Sequence, residues 1–234
     1  MEFHSSARRM FVGAVVVFTL GTAAFVAHLS SQQNWHSGID AALDTTDAGK
    51  IYFFKGSQYL RFTDARADQG YPLPMPGGWR GLPASWRSGI DAAVAFAPTQ
   101  KIYLFKGNEY VRLTGTQVDA GYPLRLPGGW RGLPTAWHTG IDAALYYEPT
   151  QKMYFFKGNQ YVRLTGVEVD QGYPQALPGG WRGLPVSWHS GIDAAVFRAG
   201  HTYFFKGNQY VRFTGSEMDS NYPQALPGGW QFDR

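Results

Sequence analysis

The sequence predicts an all-β protein in which four copies of one small sheet stand in a ring, and three observations lead there. Its 234 residues include 29 glycines and 14 prolines, with 16% aromatic and 16% charged residues. That composition favours short strands and tight turns over long helices, and it carries too much apolar surface for a disordered chain. The tetrad Ile-Asp-Ala-Ala begins at Ile39, Ile90, Ile141 and Ile192, a spacing of 51 residues each time. A fixed period of that size marks stacked or radial modules. One such unit cannot bury both faces of its twisted sheet, so it needs neighbours, and a radial arrangement of four supplies them.

The chain opens on an address. Residues 11–27 are uncharged and largely apolar, follow Arg8 and Arg9, and give way to a polar stretch ending at Asn34, the layout of an export signal. This run is longer than a usual signal core and lies at the short limit of a spanning helix, so cleaved signal and retained anchor both stand. Residues 1–34 are thus a signal peptide or signal anchor. The destination is extracytoplasmic: secreted, periplasmic, or membrane-anchored through residues 11–27.

Each repeat then reads as three short strands. In the first copy these are the Ile-Asp-Ala-Ala-Leu run, residues 51–55 and residues 59–63, all rich in residues of high β propensity. Gly56-Ser57-Gln58 leaves room only for a hairpin between the last two. The next twenty or so residues hold Gly and Pro clusters that forbid a long helix but permit an outer strand and a helical turn near Leu82 to Trp86. The fourth copy is two residues shorter between Asp193 and Tyr203, and the repeat stops after Trp230.

The recurring elements IDAA, YFFKG-x-x-Y-x-R, Tyr-Pro and W-x-GLP, in the same order and phase, resemble haemopexin-type repeats over about residues 35–234. The resemblance implies a single four-bladed β-propeller with blades at about 39–86, 90–137, 141–188 and 192–234. A kelch propeller has a similar period and paired glycines such as Gly77-Gly78, but its blades usually number more than four and it does not explain IDAA.

In such a ring the innermost strand of each blade presents an unpaired edge to the axis, and its backbone groups need water or ions as partners. Paired alanines suit a place where four strands converge. Residues i and i+2 direct their backbone groups to one edge. Asp40, Asp91, Asp142 and Asp193, with Ala42, Ala93, Ala144 and Ala195, are therefore the candidate metal site, as two rings of carbonyl oxygens. Oxygen rings suit Ca²⁺ or Na⁺, and rings of N–H groups suit Cl⁻. The resemblance implies the same ions. The alternative is that the aspartates cap the blade tops and the channel holds water.

Trp35, Trp86, Trp137 and Trp188, and likewise Trp79, Trp130, Trp181 and Trp230, recur once each per repeat at symmetric positions, which predicts packing between blades rather than a ligand platform. Lys55 and Arg61 read as solvated or cross-strand paired. Asp68, Asp119, Asp170 and Asp219 stand shortly before Tyr-Pro and suit turn chemistry. His36, His138 and His189 precede IDAA by one offset and form a candidate ligand-binding rim, interrupted by Arg87. Haem is chemically possible there, and a polyamine is an alternative small ligand.

Without a cysteine the chain has no disulfide, thiolate metal site or cysteine nucleophile. Its net charge of +4, of which the first 34 residues carry +1, is too dilute for a nucleic-acid binder. No acid, base and stabiliser converge outside the repeat pattern, so an enzyme is not expected. The expected function is an extracytoplasmic binding module, monomeric or homodimeric, that recognises a small ligand or an extracellular protein. The copies differ little, by Arg87, Glu109 and His201 chiefly, and leave no distinctive pocket to read. With no disulfide to close the ring, Trp35 and residues 230–234 are expected to pack across the seam.

Overall fold

A computed structural model describes residues 33–45 and 49–232. The proposed export segment lies outside them, apart from Gln33 and Asn34. No helix among the described residues is long and apolar enough to cross a membrane.

Each repeat folds into one antiparallel sheet. In the first, Ala41–Thr45 pairs with Lys50–Lys55, which pairs with Gln58–Thr63. Apart from the half-buried Tyr52, the aromatic and branched apolar side chains of the last two of these strands are buried on both faces, as a sheet packed between two neighbours requires. The hairpin turn is Gly56-Ser57, with Gly56 at a φ of 50°. The outer edge differs from expectation: it is not one strand but two short ones, Arg66–Ala67 and Leu73–Pro74, both paired with Gln58–Thr63. Pro74 has no N–H to donate, so it belongs on an edge. The helical turn is a 3₁₀ helix at Ala84–Ser88, two residues later than the composition placed it. The other three sheets repeat this order, with innermost strands Ala92–Phe96, Ala143–Tyr147 and Ala194–Arg198.

The four innermost strands touch one another cyclically and close a four-bladed propeller. Their paired alanines make this possible. Ala41 packs with Ala93 on one side of the first inner strand, and Ala42 with Ala194 on the other, each at most 2% exposed. Side chains of these strands therefore fill the seams between blades and leave the backbone edge to the axis.

Each seam holds its own aromatic cluster. Trp130 lies 4.9 Å from Phe155 of the next blade, and Trp181 lies 4.7 Å from Phe204. The last seam follows the same rule. Trp230 stands 5.1 Å from Phe53, and Phe232 stacks on Trp35 at 6.3 Å. The backbone repeats too: Arg80, Arg131 and Arg182 form parallel bridges to Gln117, Glu168 and Glu217 of the following blade, and Gln231 makes the equivalent bridge to Arg66. The ring is closed by the contact that joins every other pair of blades.

Candidate functional site

The channel along the axis has two stretches. At one end Asp40, Asp91, Asp142 and Asp193 line a recess of about 470 Å³ together with Lys106 and Lys206. Ala42, Ala93, Ala144 and Ala195 line the next stretch, of about 350 Å³, which reaches Asp44, Glu148 and Arg198 at the far mouth. All eight residues singled out from the sequence therefore lie along one channel. At roughly 3.3 Å per residue, the Asp level and the Ala level are about 6.5 Å apart along each strand.

The aspartate side chains at the near mouth are exposed, yet each has a structural partner. Asp40 Oδ2 accepts the N–H of hairpin Gly56 at 2.6 Å, and Asp91, Asp142 and Asp193 accept from Gly107, Gly158 and Gly207 at 2.6 to 2.7 Å. Lys55 is not merely solvated: its Nζ donates to the Gly38 carbonyl at 2.8 Å, as Lys106 does to Gly89 at 2.6 Å. Burial lowers the Lys55 pKa in spite of the opposing charges of Asp40 and Asp193. Gly38, Gly89, Gly140 and Gly191 in turn lie against the hairpin glycine of the preceding blade. A Cβ on Gly89 would meet the Gly56 carbonyl oxygen at 2.4 Å. Around this mouth the aspartate and lysine tie each hairpin to its own blade, and the glycine packs against the hairpin of the preceding one, a use of the Gly one residue before IDAA that the sequence reading missed.

Further out, Arg61 and its counterparts are cross-strand paired as expected, but the Asp68 position does more than shape a turn. Asp68 accepts from Arg61 Nε at 2.5 Å and from Thr63 Oγ1 at 2.6 Å, with Lys50 at 3.6 Å. Burial pushes its pKa up, but these hydrogen bonds and charges outweigh burial and hold it below the ordinary carboxylate value. Arg61 also lies 4.9 Å over the Tyr71 ring, and the set recurs in all four blades. This belt is repeated architecture.

The rim histidines stand apart from one another on 3₁₀ turns. His138 and His189 place Nε2 at 3.1 Å from the carbonyls of Leu133 and Leu184, while the His36 ring lies 6.3 Å from Phe232. Among the described residues, no group of three or more His, Asp or Glu side chains is placed to hold a metal ion. The oxygen atoms that line the channel include those of the four aspartates and of the inner-strand backbone. The far mouth breaks the fourfold pattern: Arg198 pairs with Asp44 at 2.8 Å across the last seam, and burial, outweighing that pairing, raises the Asp44 pKa.

The family model described as Hemopexin matches residues 39–84, 90–135, 141–186 and 192–232. Stromelysin-2 of Rattus norvegicus is 31% identical over 138 residues, which cover 58% of this chain and 27% of that protein. The chain spans less than a third of the length of the curated relatives it matches. Among solved structures, a 2S albumin seed protein from Dolichos superposes with a TM-score of 0.72 at 24% identity, covering 83% of this chain and 96% of that one. A plant lectin with two metal binding sites from Cicer arietinum gives a TM-score of 0.68 at 22% identity, covering 82% and 95%. At these identities the superpositions establish a shared fold.

Proposed function

The chain belongs to the haemopexin family, and from that premise we propose that it is an exported, non-enzymatic binding module that holds a cation on its axis. Ca²⁺ is the first choice, with Na⁺ and Cl⁻ as further occupants of the channel. Its faces recognise a small ligand or a protein partner.

The observation that carries this reading is the placement of Asp40, Ala42 and their six counterparts along one channel. Ala42 and its counterparts lie on inner strands with no sheet partner on one edge, while each aspartate stands one residue before its strand and spends its backbone N–H on a carbonyl of the neighbouring strand, leaving its carbonyl for an ion. Carbonyl oxygens at those residues would hold the ion, and a hard cation takes six to eight oxygens of this kind. Each aspartate carboxylate is tied through Oδ2 to a hairpin glycine N–H, which fixes it beside its own blade, and the main ligation is assigned to the backbone. The Cicer arietinum lectin, whose description includes two metal binding sites, lends the reading support from the same fold. Fourfold replication of the Asp site favours an ion on the axis over a catalytic centre, which needs distinct acid, base and stabilising groups.

Ligand linkage tests the ion. A ligand at a hundred times its Kd stabilises the folded state by about 2.7 kcal/mol. For a domain of this size that is a rise in Tm of roughly 5–10 °C. Added Ca²⁺ should produce such a rise and chelator should reverse it. Asp91→Asn should weaken the effect only modestly, because an amide oxygen still accepts the Gly107 N–H. Ala93→Leu should abolish it, because a larger side chain in the inner-strand seam spreads the blades and spoils the oxygen ring.

Export rests on residues 11–27 behind Arg8 and Arg9. In fractionated cells the full chain should be found outside the cytoplasm, and a chain lacking residues 1–30 should stay inside. Cytoplasmic residence of the full chain would contradict this part of the proposal.

A further inference from the structure

The four seams are not equivalent, and the difference lies at the far end of the inner strands. Two positions meet there: the last residue of one inner strand, and the fourth residue of the next. In the second seam they are Phe96 and Tyr146, with ring centroids 5.5 Å apart. In the third they are Tyr147 and Phe197, at 5.0 Å. In the fourth they are Arg198 and Asp44, an ion pair. In the first they are Thr45 and Ala95, two small side chains beside a cavity of about 230 Å³, where the second and third seams hold aromatic pairs and the fourth an ion pair.

We propose that this cavity is a binding site for a small, uncharged, planar aromatic molecule. Its size sets the ligand. An apolar protein cavity of about 150 Å³ accepts benzene, so about 230 Å³ takes a bicyclic ring of about nine non-hydrogen atoms. Its walls set the chemistry. Tyr52, Trp79, Phe96 and Ile102 supply aromatic and aliphatic surface, while Gln100 and Thr116 stand at the exposed rim, where they can meet one polar group of the ligand. Lys101, the one charged side chain along the wall, is committed to Asp119 at 3.3 Å and to the Thr114 hydroxyl, so a ligand charge would find no unpaired partner.

The cavity is reached from outside. Ile102 is 8% exposed, whereas Ile51 and Met153, its counterparts in blades one and three, are 0% exposed. The indole Nε1 of Trp79 has no hydrogen-bond partner, but the same holds for Trp130 and Trp181. That N–H is therefore a property of the repeat. The distinction of the first seam lies in Thr45 and Ala95.

Indole is the probe, titrated into the full-length chain by calorimetry. One saturable site per chain is expected, with a submillimolar Kd. The double variant Thr45→Phe, Ala95→Tyr restores the aromatic pair of the second seam and should weaken binding at least tenfold with an equal or higher Tm. Should that variant fold poorly, Ala95→Val narrows the cavity with a smaller change and should still weaken binding severalfold. As an independent readout, indole should shift the Trp79 side-chain N–H resonance, identified by its loss in Trp79→Phe, and leave those of Trp130 and Trp181 in place. No saturable binding, unchanged affinity in a folded cavity-filled variant, or a shift confined to other tryptophans would each overturn the proposal.

Discussion

Trp230→Ala is expected to lower the stability of the domain by about 3–5 kcal/mol, the range for deleting a buried aromatic from a packed core. Trp230 is 6% exposed and sits edge-on to Phe53 of the first blade at 5.1 Å and to Tyr203 of its own at 5.4 Å. Removing it opens a void in the seam that joins the two ends of the chain. For a domain of about 200 residues the corresponding fall in Tm is roughly 6–20 °C. Deleting residues 230–234 should cost more, since it also removes Phe232 from Trp35, Phe53 and Phe62, and the Gln231 bridge to Arg66. An unchanged melting temperature in the truncated chain would show that the ring is held closed elsewhere.

Gly89→Ala should be nearly as damaging, although it adds one methyl group. Gly89 has a φ of 115°, a region that L side chains enter at a cost of about 1–3 kcal/mol. The new Cβ would also stand 2.4 Å from the Gly56 carbonyl oxygen, a backbone atom of the neighbouring blade that cannot rotate away. Relieving that overlap separates the first two blades, for about 1–3 kcal/mol more. Gly107→Ala is the control. Its φ of 53° is also left-handed, but nothing lies within 4 Å of the added Cβ. Its cost should be about 1–2 kcal/mol, that of the backbone conformation alone. Paired urea melts of the two variants measure the difference, and equal losses would show that contact between blades at this mouth does not matter.

Much of the ring was legible because it is periodic. The 51-residue spacing of IDAA, the aromatic strands and the recurring Trp positions led directly to radial blades, alanines at the converging strands and tryptophans in the seams. What escaped were relations across seams, which no single repeat displays. Gly89 recurs in every copy, but its function depends on the Gly56 carbonyl 33 positions earlier, in another blade. Contacts inside one copy escaped as well where they join residues apart in sequence: Lys55 reads as a surface cation until the Gly38 carbonyl is placed beside it, and Asp68 reads as a turn residue until Arg61 and Thr63 converge on it. The expectation that near-identical blades leave no distinctive pocket fails for the first of these reasons. Thr45 and Ala95 are unremarkable within their own copies, and only their meeting in the first seam puts two small side chains beside a cavity. For the axis the sequence offers only two alanines and an aspartate per copy, so the reading there rests on backbone oxygens and awaits the measurement of a bound ion.

Cation content after exhaustive dialysis tests the account's central claim most directly. The full-length chain, its Asp91→Asn variant and its Ala93→Leu variant are equilibrated in buffered Ca²⁺, and bound metal per chain is measured by elemental analysis. The account predicts about one ion per chain in the parent and in Asp91→Asn, and a much lower content in a folded Ala93→Leu. Negligible metal in the parent would contradict it, as would loss of metal in Asp91→Asn with full retention in Ala93→Leu, which would move the site from backbone oxygens to the aspartate side chains.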